Sequence, residues 1–233
     1  MQDSLKKLFI AERSWSELER FYRDQGKLEE FARVLDRQLE SSETTEEKLT
    51  LATRIAVIYR DELEKTDRAT RAFEKVLAID ESNFEAAEAL IPLYEKGRDP
   101  KKLYHVLEVQ LKNTGDDHSL RLERLRRLAE FSEESLKDAG KALTWWLEAY
   151  RNEHEEEWMR ENIERLTTET GRWADLVSVY AGAADSLYEA DQSRALPVLE
   201  VLARVQEHEL GDIDAALAAN QRIYKIDDCN EQA

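Results

Sequence analysis

One cysteine, three prolines and seven glycines are all that 233 residues hold of the types that most constrain a chain. A lone thiol, Cys229, excludes an internal disulfide and any site built from several thiolates, and it makes a reducing compartment the simpler setting. So few glycines and prolines cannot supply the tight turns of an all-β protein; they suit long helices with short connections. No apolar run approaches the roughly 20 residues that span a bilayer, and the opening MQDSLKKLFIAER is too short in apolar residues for a secretory signal. These absences predict a soluble, cytoplasmic, all-α chain without membrane insertion. Missing too are a glycine-rich phosphate loop, a Gly-x-Ser-x-Gly elbow and a nucleophile beside a histidine.

What is abundant is negative charge. Aspartate and glutamate number 51 against 34 lysines and arginines, for a net charge of −17, and such a surface repels phosphate backbones, so nucleic acid is not an expected partner. With so many carboxylates, no single pair of them marks an acid–base site. His154, Glu155 and Trp158 approach the zinc-protease pattern His-Glu-x-x-His, but Trp158 stands where the second imidazole must be. His105, His118 and His208 have no histidine or cysteine at ligand spacing. No metal, no cofactor and no catalysis are expected.

An internal repeat organises the chain. Segments beginning at Leu51, Arg124 and Val198 align with offsets of 73 and 74 residues: Ala56 with Ala129 and Ala203, Leu63 with Leu136 and Leu210, Ala69 with Ala142 and Ala216, Phe73 with Trp146 and Asn220. A second set begins at Trp15, Ala87 and Arg160 and aligns Leu18 with Leu90 and Ile163, and Phe31 with Leu103 and Leu176. Apolar residues three and four apart put one stripe on each helix, so each long period reads as two helical hairpins. Alanines at the paired positions let two helices approach closely. Asp99 before Pro100 reads as an N-cap followed by a proline at the first helical position. Gly26, Gly97, Gly171 and Gly211 read as left-handed residues just past first helices. Trp146, at the large position of a second helix, is assigned to the core, whereas Trp145, about 100° round the helix, stays undecided.

Trp15, Leu18, Tyr22 and Gly26, and separately Ala69, Phe73 and Leu77, match the spacing of the tetratricopeptide repeat, and on those residues nearly the whole chain resembles six degenerate members of that family. Phe31, Leu103 and Leu176 stand where the family prefers alanine, and Glu81 and His154 where it often has proline, so a related helical hairpin stays open. The resemblance implies a right-handed α-solenoid of about six antiparallel helix pairs, about 12 to 13 helices, forming a single domain over 1–233 with long repeats at 14–86, 87–159 and 160–233.

It further implies a concave face lined by first helices. Carried over position by position, that face presents Ser16 and Arg20, Thr53 and Val57, Glu88 and Pro92, Arg126 and Glu130, Trp158, Glu161 and Arg165, then Glu200 and Arg204. The lysine and asparagine set with which some relatives clamp a C-terminal carboxylate is missing. The expected function is a non-catalytic scaffold or adaptor for a protein or peptide of net basic character. The alternative is a structural spacer that self-associates through exposed solenoid ends. DDCNEQA at the end aligns with DESNFEA at 80–86, which predicts a piece of a longer array.

Overall fold

The computed structural model describes residues 2–151, 153–154 and 156–228. Cys229, Glu155 and most of DDCNEQA lie outside them, as do the sequence-based expectations made for those residues. Among the described residues there are thirteen α-helices and no strand. They fall in two compact units, Met1–Gly115 and Asp116–Ala233.

The first unit comprises α1 (Gln2–Ala11), α2 (Trp15–Asp24), α3 (Leu28–Ser41), α4 (Thr45–Val57), a π-helical turn (Ile58–Glu62), α5 (Thr66–Ile79), α6 (Phe84–Gly97) and α7 (Pro100–Lys112). The second comprises α8 (His118–Glu134), α9 (Ala139–Tyr150), α10 (Glu157–Thr170), α11 (Trp173–Ala190), a 3-10 turn (Gln192–Ala195), α12 (Leu196–His208) and α13 (Ile213–Asp228). Within each unit every helix packs on the next, giving the hairpins α2/α3, α4/α5 and α6/α7, then α8/α9, α10/α11 and α12/α13. This is the all-α hairpin solenoid that the repeat predicted.

Local chemistry explains where the helices start. Thr44, Asn83, Asp99, Asp117 and Asp138 each accept a hydrogen bond at their side-chain oxygen from the backbone N–H three residues on, satisfying a donor that the first turn leaves orphaned. At Thr44 the acceptor's partner is Glu47, which makes the sequence Thr-x-x-Glu of a capping box. The cap at Asp99 and the proline at Pro100 stand where the sequence placed them.

The six alanines of the first alignment are all buried, on the paired helices α4 and α5, α8 and α9, and α12 and α13. In the first hairpin, Trp15, Leu18 and Tyr22 of α2 and Phe31 of α3 are buried, and the Phe31 ring stacks on Tyr22 at 5.7 Å. Trp146 is 2% exposed, as its core assignment requires, and Trp145 is half-buried.

One turn expectation needs correcting. Gly26, Gly171 and Gly211 are left-handed, but Gly97 is the last residue of α6, and the left-handed residue is Arg98, with φ 54°. The repeat, more than the glycine, sets this position: Arg98 lies 72 residues after Gly26 and 73 before Gly171. In the other register Glu64 (φ 51°) and Lys137 (φ 56°) occupy the position of Gly211. Packing therefore holds three ordinary side chains in a conformation that glycine adopts without strain.

Candidate functional site

Each unit opens a cleft between two successive first helices, floored by the second helix between them. In the first unit the cleft measures about 530 Å³ between α4 and α6. Thr53 and Val57 of α4 and Arg60 of the π turn form one wall, Phe73 and Val76 of α5 the floor, and Phe84, Ala86 and Ala89 of α6 much of the other wall. In the second unit the cleft measures about 380 Å³ between α8 and α10. Its walls are Arg126, Glu130, Glu133 and Glu134 of α8 and Trp158, Asn162 and Arg165 of α10, with Trp146 of α9 as floor. The two are equivalent: Thr53 and Arg126, Val57 and Glu130, Arg60 and Glu133, Phe73 and Trp146, Ala89 and Asn162 are all 73 residues apart.

The second-unit cleft brings together four residues that the sequence singled out, Arg126, Glu130, Trp158 and Arg165. Trp158 is half-buried and packs edge-on to Trp146, with ring centroids 5.3 Å apart. Its indole N–H donates to Glu156 at 2.7 Å, and the Arg126 guanidinium lies over its ring at 5.0 Å. Arg126 also donates to Glu130 four residues on, at 2.7 Å. Arg165 grips Glu133 with two nitrogens at 2.8 and 2.9 Å, and the carboxylate's hydrogen bonds hold the guanidinium pKa above its ordinary value. Glu133, Glu134 and Asn162 were missed by the sequence reading. The signal was helical spacing: 126, 130 and 133 on α8, and 158, 162 and 165 on α10, repeat at four and three residues.

The other expected residues do not share this cleft. Glu161 is exposed on α10 outside the lining, Glu200 and Arg204 are exposed on α12, and Arg20 is exposed on α2 of the first unit. Arg204 reaches back to Glu164 of α10 at 2.9 Å, just as Arg165 of α10 reaches Glu133 of α8. In the first unit Arg54 of α4 reaches Glu19 of α2 at 2.7 Å. Burial pushes the Glu19 pKa up, but hydrogen bonds from Arg54 and Arg23 more than reverse this and leave it lowered. Arg165 and Arg204 of the proposed face thus tie one first helix to the one before it, as Arg54 does in the first unit.

The second unit also carries buried polar atoms that lack partners among the described residues. The Trp146 indole N–H, the Thr167 hydroxyl and the Tyr180 hydroxyl make no hydrogen bond among the described residues, and the Tyr180 ring lies 5.1 Å from that of Tyr150. Burial pushes the Tyr150 hydroxyl up to about 12, against the opposing pull of Arg160, and pushes Tyr180 higher still. His154 Nδ1 pairs with the Tyr150 carbonyl. Among the described residues, no group of three or more His, Cys, Asp or Glu side chains is placed to hold a metal ion, and no helix is long and apolar enough to cross a membrane.

The tetratricopeptide repeat family matches residues 14–49, which span α2, α3 and the start of α4. No curated protein matches the chain. A solved structure from a functional characterization of Pseudomonas aeruginosa pilF is 15% identical over 92% of this chain and 90% of that one, with a TM-score of 0.33. At that level the superposition decides nothing, and the fold rests on the hairpins themselves. Repeats of this family generally mediate protein–protein interaction. Residues 14–49 match the tetratricopeptide repeat, and the described chain around them is built of helical hairpins.

Proposed function

We propose that this protein is a non-catalytic scaffold that holds a protein or peptide of net basic character against its first helices. The observation that carries this reading is the recurrence of a cleft between successive first helices at equivalent positions in both units. The net charge of −17 adds long-range attraction for a basic partner, screened beyond roughly 8 Å at physiological salt. Glu161 and Glu200 make no ion pair among the described residues, so reversing them leaves the Glu133–Arg165 and Glu164–Arg204 bridges in place. With a partner identified by crosslinking, the Glu161→Arg, Glu200→Arg variant should associate more slowly, and so should the wild type as salt rises. Association that ignores both salt and the double substitution would place the interface elsewhere.

Self-association is a second reading, supported by α13, where Ile213, Leu217 and Tyr224 are 61%, 55% and 69% exposed. A solution mass that rises with concentration, and that Leu217→Asp returns to the monomer value, would establish it over the first.

A further inference from the structure

We propose that the cleft between α8 and α10 receives a lysine or arginine side chain of the partner, and that Arg126 occupies that seat in the unbound protein. This rests on the reading of the first helices as the interaction face and adds the chemistry of one subsite.

Three observations converge. First, the face of Trp158 already holds a cation: the Arg126 guanidinium lies 5.0 Å from the ring centroid. A ring quadrupole that attracts this guanidinium attracts a partner's equally. The hold on Arg126 is weak, because its one carboxylate partner, Glu130, is four residues away on the same exposed helix, and such pairs are readily exchanged. Second, carboxylates outnumber guanidiniums in the cleft. Glu130 serves Arg126 and Glu133 serves Arg165, while Glu134 is exposed and makes no ion pair among the described residues. An entering ammonium or guanidinium finds Glu134 unpaired and gains Glu130 when Arg126 leaves. An anion, by contrast, finds both arginines engaged.

Third, the floor of the cleft is Trp146, 2% exposed, with an indole N–H that has no acceptor among the described residues. Buried donors in native proteins rarely stay unpaired, because each forfeits a hydrogen bond it had in water. Trp158 packs edge-on against this ring and is itself only half-buried, so a side chain entering over Trp158 perturbs both indoles together.

The test uses the full chain, capped peptides Gly-Gly-Arg-Gly-Gly and Gly-Gly-Gln-Gly-Gly, and the indole N–H resonances of the five tryptophans, with Trp146 and Trp158 assigned by phenylalanine replacement. The arginine peptide should shift both resonances and the glutamine peptide neither. Removing the internal competitor in Arg126→Ala should tighten the arginine peptide about two- to fivefold, the scale of an exposed cation–ring contact plus a surface ion pair. Glu134→Gln should loosen it. Circular dichroism checks that both exposed substitutions leave the helices intact. An Arg126→Ala variant that binds the arginine peptide no better than wild type overturns the inference, as does a glutamine peptide that shifts the same resonances equally. Shifts elsewhere on the first helices with both tryptophans unmoved remove the subsite and leave the interaction face standing. No shift on any first helix, with peptide or with the crosslinked partner, removes both.

Discussion

The clefts of the two units are one architectural feature with different surfaces. At equivalent positions Thr53, Val57, Glu85 and Ala89 line the cleft over Phe73 between α4 and α6, and Arg126, Glu130, Trp158 and Asn162 line the cleft over Trp146 between α8 and α10. Each cleft places an arginine over an aromatic ring, but not in the same way. Arg60 sits over Phe73 at 5.3 Å and is clamped through two nitrogens by its neighbour Asp61, at 2.6 and 2.8 Å. Arg126 sits over Trp158 and is held by one bond to Glu130. A bidentate clamp fixes a guanidinium, and a single exposed bond leaves it exchangeable. The repeat therefore conserves the place of the cleft while the side chains decide what each can take.

The largest expected effect lies in the floors. Phe73→Ala and Trp146→Ala should each cost roughly 3 to 5 kcal/mol in denaturant melts, as truncation of a buried aromatic does. Trp158→Ala should cost much less, on the order of the 0.5 to 1.5 kcal/mol of an edge-on ring pair. If Trp158 proves costlier than Trp146, the two clefts are not equivalent.

Next come the left-handed turns. Gly211→Ala should cost about 1 to 2 kcal/mol, because its φ of 67° brings a Cβ against the following carbonyl. Arg98→Gly should instead gain about 0.5 to 1 kcal/mol, since strain relief outweighs the added freedom of the unfolded chain. A loss at Arg98 would mean that its side chain contributes more than its backbone costs.

Buried tyrosines should separate the units by about 1 kcal/mol. Tyr94 of the first unit donates to Glu74 at 3.0 Å, so Tyr94→Phe should lose about 0.5 to 1.5 kcal/mol. Tyr180 of the second unit has no acceptor among the described residues, and Tyr180→Phe should be neutral or slightly stabilising. Equal losses at both sites would show that Tyr180 has a partner in solution.

The smallest effect is acid sensitivity. Hydrogen bonding from Lys65, with the charge of Arg68 adding to it, lowers Glu29 from 4.5 to about 2. A carboxylate with a depressed folded-state pKa contributes stability above pH 4.5, and that contribution is lost as pH falls through about 2. The bridge joins α3 to α5 in the first unit, whereas α9 and α11 in the second are joined by Arg172 donating to the Gly140 carbonyl and the Thr144 hydroxyl, neither of which titrates. Amide exchange should therefore quicken first in α3 and α5 as pH falls, and salt should shrink the difference. Equal acid sensitivity of the two helix pairs would remove the contrast.

Helix type, hairpin pairing and the equivalence of Phe73 with Trp146 were legible in the sequence, because helical faces are set by neighbours three and four residues away and the repeat shows the same pattern at each offset. The caps at Asp99 and Pro100 were legible for the same reason: a cap involves only residues along one turn. Four of the eight expected contact residues share a cleft, and the omission of Glu133, Glu134 and Asn162 reflects a face traced at too few positions. The left-handed residue at Arg98 was hidden because glycine marks only some turns that need it, and the partner face itself is not written in any single position. What the sequence alone determined is the hairpin solenoid and its charge, both sums of short-range regularities. Tertiary structure decided that Trp158 leans on Trp146, that Arg165 ties α10 to α8 and that Arg126 lies over the Trp158 ring, because those contacts join helices whose mutual placement only packing fixes.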